Sequence, residues 1–229
     1  MQSEGLPHLP TGFPSLDRAL GTGGLPRGRI VEIFGPASCG KTALALQFVA
    51  HLQRSGGAAA WLDADHSFDA AFAVELGVDI GRLPVLAPDS TEKACEMALR
   101  LAASGVLDMV AIDSAAALAS ETELETGIGA GGLHSRALAS ALRRLLPAAT
   151  RFGVSIVVLN QTRSRADSGA GELETSAGGP PLKLYAAIRI ALAASGKTVG
   201  FRIVKNALGA AFAAGALEWQ RGRGFVERA

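Results

Sequence analysis

Ile30-Val31-Glu32-Ile33-Phe34-Gly35-Pro36-Ala37-Ser38-Cys39-Gly40-Lys41-Thr42-Ala43-Leu44 is the stretch that decides the fold. Ile30 to Phe34 is apolar except for Glu32 and carries β-branched side chains, which predicts a strand. From Lys41 to Gln53 the pattern turns helical, with Leu44, Phe48 and Leu52 on one face, and Ser55-Gly56-Gly57 ends it. Between strand and helix lies G-x-x-x-x-G-K-T, at 35–42. Glycines there let successive backbone N–H groups turn toward one anion, and the helix start adds its partial positive charge. Lys41 then suits the β- and γ-phosphates of a nucleoside triphosphate, and the Thr42 hydroxyl suits Mg2+. The expected cradle is Gly35, Pro36, Ala37, Ser38, Cys39, Gly40, Lys41, Thr42 and Ala43, and the expected cofactors are ATP and Mg2+. The plain alternative is a glycine turn that only links two elements. The strand before it and the helix after it are the context that the phosphate reading requires.

Outward from this stretch, strands and helices alternate. Residues 1–14 read as an extended lead-in, followed by a short helix from Leu16 with Ser15 as its N-cap. Gly21 to Gly28 is a glycine-rich turn. Ala58–Asp63, Leu83–Leu86, Met109–Asp113 and Val154–Asn160 are expected strands. Asp69–Leu76, Thr91–Ala103 (capped by Ser90) and His134–Leu146 are expected helices, the last ended or kinked by Pro147. Residues 120–133, rich in Glu and Gly, and 163–181, rich in Gly and Pro, read as mobile loops. Beyond them Tyr185–Ala193, Thr198–Lys205 and Ala216–Gln220 look like strands joined by turns such as Ser195-Gly196, which implies antiparallel pairs. The predicted fold class is α/β: one domain over 1–229, with a mostly parallel central sheet flanked by helices and antiparallel strands at its C-terminal end.

Composition narrows the function. The 229 residues are 48% hydrophobic but only 5% aromatic, so the core must be built from small and aliphatic side chains. Lys and Arg number 22 against 21 Asp and Glu, a net charge of +1. That balance gives no global attraction to nucleic acid or membrane, so any DNA contact must be local. The two cysteines, Cys39 and Cys95, have neither metal-ligand nor disulfide-framework spacing, and free thiols suit a reducing cytoplasm. No signal peptide and no membrane-spanning run is expected.

A phosphate cradle needs a carboxylate to orient the metal ion, and Asp113, ending the apolar run Met109–Ile112, has the right place; it could instead cap the next helix. Hydrolysis needs a group to orient or deprotonate water. Asp65 and Asp63, after the second strand, are the candidates, although an Asp at a strand end often caps a turn. Gln161, just past Val154–Asn160, is placed either to sense a γ-phosphate or simply to face solvent. His66 reads as a surface histidine beside carboxylates.

Taken together, these residues resemble the ATPase core of the RecA recombinase family. The resemblance runs from about residue 9 to 227. Its motifs are Leu16-Asp17 with Leu20-Gly21, Gly23-Gly24-Leu25-Pro26, the 35–42 cradle, Leu62-Asp63-Ala64-Asp65-His66 and Leu76-Gly77-Val78-Asp79-Ile80. They continue through Asp108–Leu118, Asn160-Gln161-Thr162-Arg163, Gly178-Gly179, Leu182-Lys183 with Tyr185, and Val204-Lys205-Asn206. Clock-type and RadA-type ATPases share only some of these. The resemblance implies that Asp65 stands where the family has its catalytic Glu. It also implies that Gln161 couples the γ-phosphate to the second DNA loop, and that Phe72 stacks on adenine. The catalytic group it implies is thus Asp65, Lys41 and Gln161. It makes 120–133 and 163–177 DNA-binding loops, with Arg136, Arg163 and Arg165 near single-stranded DNA, and makes Lys205 a lysine that reaches ATP across a filament interface.

Departures from the family pattern shape the expectation further. Asp65 is one methylene shorter than Glu, which predicts slow hydrolysis with binding retained. Ala207 replaces a second interface lysine, and the family's N-terminal docking segment and C-terminal domain have no counterpart, which argues against a stable filament. The second loop carries Asp167, Glu172 and Glu174 against Arg163 and Arg165 and has no aromatic side chain, which predicts weak, salt-dependent binding of single-stranded DNA. The expected function is a slow, DNA-dependent ATPase of recombination and repair, with ATP/ADP, single-stranded DNA and a recombinase or repair protein as partners. The alternative is a non-filamenting accessory or regulatory module of the DNA-damage response, without strand exchange.

Overall fold

The computed structural model describes residues 7–126, 132–163 and 175–228. Its strands are β1 (His8–Leu9), β2 (Leu25–Pro26), β3 (Ile30–Gly35), β4 (Ala59–Asp63), β5 (Val85–Leu86), β6 (Met109–Asp113), β7 (Ser155–Arg163), β8 (Thr175–Ser176), β9 (Ile188–Ser195), β10 (Thr198–Asn206), β11 (Ala214–Gln220) and β12 (Gly224–Glu227). Its helices are α1 (Pro14–Leu20), α2 (Lys41–Arg54), α3 (Ala70–Glu75), α4 (Thr91–Ala103), α5 (Glu121–Thr126), α6 (Leu133–Phe152) and α7 (Pro180–Tyr185).

The main sheet has the order β12-β11-β10-β9-β3-β7-β6-β4-β5, and β8 pairs with β7. From β9 to β5 all neighbours are parallel, and β9-β10-β11-β12 are antiparallel. This is the fold class expected from the sequence. The parallel strands are mostly apolar on both sides because both faces are covered, with Glu32 and Asn160 as buried exceptions. Val31, Ile33 and Trp61 pack with α1, α2 and α3 in one cluster. Ile30, Ala60, Leu62 and Val158 pack with α4, α6 and α7 in the other. The scarcity of aromatics is met by small residues: Ala94, Ala98 and Ala102 let α4 lie close against sheet and α6. Among the described residues no helix is long and apolar enough to cross a membrane.

Several local expectations need correction. Phe13, not Ser15, occupies the N-cap of α1, and Pro14 opens the helix; a proline's fixed φ suits that first position. The 21–28 turn contains β2, paired with β1. Within 120–133, residues 121–126 form α5. Its start is a reciprocal cap, in which the Ser120 N–H and hydroxyl donate to Glu123 Oε2 at 2.9 and 3.1 Å and the Glu123 N–H donates to Ser120 Oγ at 3.1 Å. Helix α6 runs on through Pro147. The proline is exposed, and the carbonyl it cannot serve belongs to Arg143, also exposed. Leu138, Leu142, Leu145 and Ala149 hold both halves against the core. In the C-terminal third, 180–185 is a helix begun by Pro180 and Pro181, so Tyr185 ends α7 and the following strand starts at Ile188.

Candidate functional site

The chemistry-bearing residues gather where the parallel strands end. Strands β3, β4, β6 and β7 deliver Gly35, Asp63, Asp113 and Gln161 to the same carboxyl edge, which is where α/β sheets place ligand sites. Gly35 lies opposite Gln161 in the β3–β7 register, and Asp63 lies opposite Asp113.

The cradle is built from backbone that only certain residues tolerate. A Cβ on Gly35 would stand 2.4 Å from the Leu192 carbonyl oxygen and 2.8 Å from Cys39 Sγ. Gly40, at the N-cap of α2, has φ of +92°, and a Cβ there would reach the Phe225 ring at 2.5 Å. No side chain caps α2 and no acidic residue sits in its first turn, so the leading N–H groups, through Ala43, are presented to an anion. Pro36, Ala37 and Ser38 form the exposed rim. Lys41 is 8% exposed, and its ammonium donates to the carbonyls of Gly35 at 3.1 Å and Pro36 at 2.7 Å. These are bonds that phosphate oxygens can replace. Cys39 is tucked beneath the loop, and burial pushes its thiol pKa up against the pull of the nearby Lys41. The thiolate that the helix start would favour is therefore suppressed by desolvation.

Beside the cradle the Thr42 hydroxyl donates to Asp113 Oδ2 at 2.7 Å. Asp113 is 4% exposed, and its pKa is raised to about 6 by burial and then by the neighbouring carboxylates of Asp65 and Asp63, against the Thr42 bond and Lys41. A buried carboxylate pressed by two others is relieved by a cation. Among the described residues no three His, Cys, Asp or Glu side chains are placed to hold a metal by themselves. Thr42 and Asp113 fit the smaller protein share of a Mg2+ site completed by nucleotide phosphates and water. Asp63 is spent on a turn, accepting from the N–H groups of Ser67 at 3.0 Å and Phe68 at 3.2 Å. Asp65 is exposed and accepts from the Ser67 hydroxyl at 2.6 Å.

Next to the cradle opens a cavity of about 420 Å3, lined by Ser38 to Ala43, Phe72, Trp219 and Phe225 and by residues of β9, β10 and the turn between them. The Phe72 and Trp219 rings lie 6.2 Å apart at 34°, and Trp219 meets Phe225 edge-on at 5.1 Å. Three of the chain's few aromatics thus wall a slot of the size and polarity suited to a base. Phe72 was legible in the sequence through the family resemblance; Trp219 and Phe225 were not, since they arrive on antiparallel strands far along the chain.

A profile of the RecA N-terminal domain matches residues 2–225. The chain belongs to that family. Protein RecA of Rubrobacter xylanophilus is 45% identical over 216 residues, covering 89% of this chain and 63% of the relative. Protein RecA of Bifidobacterium breve is 42% identical over 228 residues, covering 94% of this chain and 58% of the relative. For Protein RecA of Thermus aquaticus the figures are 41% over 229 residues, 94% and 67%. The chain thus spans about 60% of the length of these RecA proteins.

The RecA resemblance placed three arginines at DNA. Arg136 is exposed near the start of α6. Arg163 ends β7, opposite Thr175 of β8. Arg165 lies outside the described residues, as does most of the second loop, 164–174. The described part of the first loop, α5, is tied to α6 by the His134 N–H, which donates to Glu123 Oε1 at 3.2 Å. Lys205, expected to reach a neighbour's ATP, here donates to the carbonyls of Lys183 at 2.8 Å and Leu184 at 3.0 Å, at the end of α7. Burial and the Arg189 charge lower its pKa.

Proposed function

We propose that this chain is a RecA-type ATP-binding protein of DNA recombination and repair, and a DNA-dependent ATPase whose hydrolysis is slow and whose filaments are weak. The observation that carries the proposal is the meeting of Lys41, Thr42, Asp113, Asp65 and Gln161 at one sheet edge, beside an aromatic slot. Membership of the RecA family supports recombination and repair as the setting.

In this reading the cradle N–H groups and Lys41 hold the phosphates of ATP, and Phe72, Trp219 and Phe225 hold the base. Thr42 and Asp113 would hold Mg2+, which when bound supplies neutralising charge to the phosphates. Asp65 orients and deprotonates the attacking water. Its carboxylate sits one methylene back from where a Glu would bring it, which makes turnover slow. Gln161 reports the terminal phosphate to the strand that ends at Arg163, and Arg136, Arg163 and Arg165 meet single-stranded DNA. The free thiols of Cys39 and Cys95 support action in a reducing cytoplasm.

The test is steady-state ATP hydrolysis with and without single-stranded DNA, with binding followed by Trp219 fluorescence. Saturable ATP binding with turnover raised by DNA is expected. Absence of ATP binding overturns the nucleotide reading. ATP binding with turnover indifferent to DNA overturns the DNA-dependent part, in favour of an accessory module.

A further inference from the structure

Glu32 is a carboxylate with no exposed surface in the strand that carries the cradle. Such a group is costly unless paired and fully hydrogen-bonded. It is ion-paired with Arg189 of β9, whose guanidinium also lies 4.5 Å from the centre of the Phe34 ring. Its other oxygen, Oε1, accepts from Asn160 Nδ2 at 3.0 Å, and Asn160 is likewise fully buried. Asn160 Nδ2 also donates to the Ala177 carbonyl at 3.0 Å, while Asn160 Oδ1 accepts the Gln161 N–H at 2.9 Å. The Ala177 N–H in turn donates to the Gln161 carbonyl at 2.8 Å. Gln161 is therefore held at both its N–H and its C=O, while its side chain is exposed beside Gly35.

The chain of bonds has only one consistent direction. Arg189 can only donate, so Glu32 must accept from it. An ionised carboxylate can only accept, and so can the Ala177 carbonyl, so the Asn160 amide must turn its nitrogen to both. Its oxygen is thereby left for the Gln161 N–H. Glu32, together with the Ala177 carbonyl, thus sets which way the Asn160 amide faces, without touching Gln161 itself.

We propose that Glu32 is a positioning residue for Gln161: through the Asn160 amide it fixes the Gln161 backbone against the cradle strand, so that the Gln161 side chain can respond to the terminal phosphate of a bound nucleotide. The inference rests on the reading of Gln161 given above. The substitution Glu32→Gln alters almost no volume but reverses the logic. Arg189 claims the new side chain's oxygen, so its NH2 faces the Asn160 NH2, donor against donor. Either that contact opens or Asn160 flips, and a flip sets its NH2 against the Gln161 N–H and its oxygen against the Ala177 carbonyl.

Hydrogen exchange on the whole chain without nucleotide reads this directly. In E32Q the amides of Gln161 and Ala177 should exchange at least about tenfold faster, while those of Val110 and Ala111 in β6 keep their protection. In ATP hydrolysis, kcat should fall about tenfold with KM within about twofold, because the groups that bind ATP are untouched. Replacing Arg189 as well, in E32Q/R189M, frees the new amide to turn its oxygen to Asn160 and should restore protection at Gln161 and Ala177. Unchanged protection at Gln161 and Ala177 in E32Q, or an equal loss across β6, overturns the proposal and leaves the ion pair a purely structural one. If E32Q does not fold, N160A decides, since it leaves Glu32 paired with Arg189: a selective kcat loss sustains the link, and an unchanged kcat overturns it. Q161A, run in parallel, separates the two ideas. If Q161A keeps full kcat, the reading of Gln161 falls; if Q161A loses kcat and E32Q does not, the positioning role of Glu32 falls.

Discussion

Replacing Asp113 with Asn tests whether the metal-side carboxylate is held in a strained charge state. The folded chain raises its pKa from 3.8 to about 6, chiefly by burial. A carboxylate whose pKa is raised by folding stabilises the fold while protonated and loses that contribution as pH rises. The contribution is complete below pH 3.8 and gone once pH has passed about 6. At roughly 1.4 kcal/mol per unit, the full swing is about 3 kcal/mol, and the part that falls between pH 5 and pH 7.5 is about 1.4 kcal/mol. Asn keeps an oxygen for the Thr42 hydroxyl and has no proton to lose. Urea unfolding without nucleotide should therefore show the gap between Asp113→Asn and wild type widening by about 1.4 kcal/mol, in favour of the variant, from pH 5 to pH 7.5. Mg2+ with ATP should narrow the gap at pH 7.5, because the ionised form then gains a partner. Parallel stability profiles for the two proteins across that range would refute the claim that Asp113 is destabilised by its surroundings.

Other expectations concern separate parts of the site and scaffold. Trp219→Ala removes one wall of the aromatic slot and should weaken ATP binding about tenfold, read by calorimetry, with a smaller effect on binding of inorganic triphosphate. Asp65→Glu should raise the ATPase rate; a rate no higher than wild type would show that side-chain reach does not limit turnover. Ser90 caps α4 by accepting the Lys93 N–H at 3.1 Å, so Ser90→Ala should cost about 1 kcal/mol in urea unfolding without changing ATP affinity.

How much of this could be read from the sequence depended on how local the signal was. The cradle, the strand end at Asp113 and the Ser90 cap are contiguous patterns, and each lies where the pattern put it, whereas Gln161, expected just past its strand, lies inside β7, which runs on to Arg163. Helix α5 was also legible, since Ser120 and Glu123 have the spacing of a reciprocal cap. The surrounding glycines drew attention instead to a loop. Pro147 does not end α6, because a proline's cost of about 3 kcal/mol inside a helix can be outweighed by packing, and the Pro180-Pro181 pair sits at a helix start, where that cost is absent. The aromatic slot had no local signature at all, because Phe72, Trp219 and Phe225 come from α3, β11 and β12. Glu32, a single acid in an apolar strand, must find a buried partner, though nothing in the spacing points to Arg189.

The place of β3 in the sheet has a consequence for how the protein is made. The strand bearing the cradle is synthesised more than a hundred residues before either of its neighbours, β7 and β9. On the ribosome Ile30–Gly35 therefore waits without either partner until Ser155–Arg163 has emerged, and its second edge waits further for Ile188–Ser195. Such long-range pairing slows folding and leaves sticky surface open to holdase chaperones meanwhile. The aromatic slot gains its Phe225 wall later still, well after the cradle itself has been made.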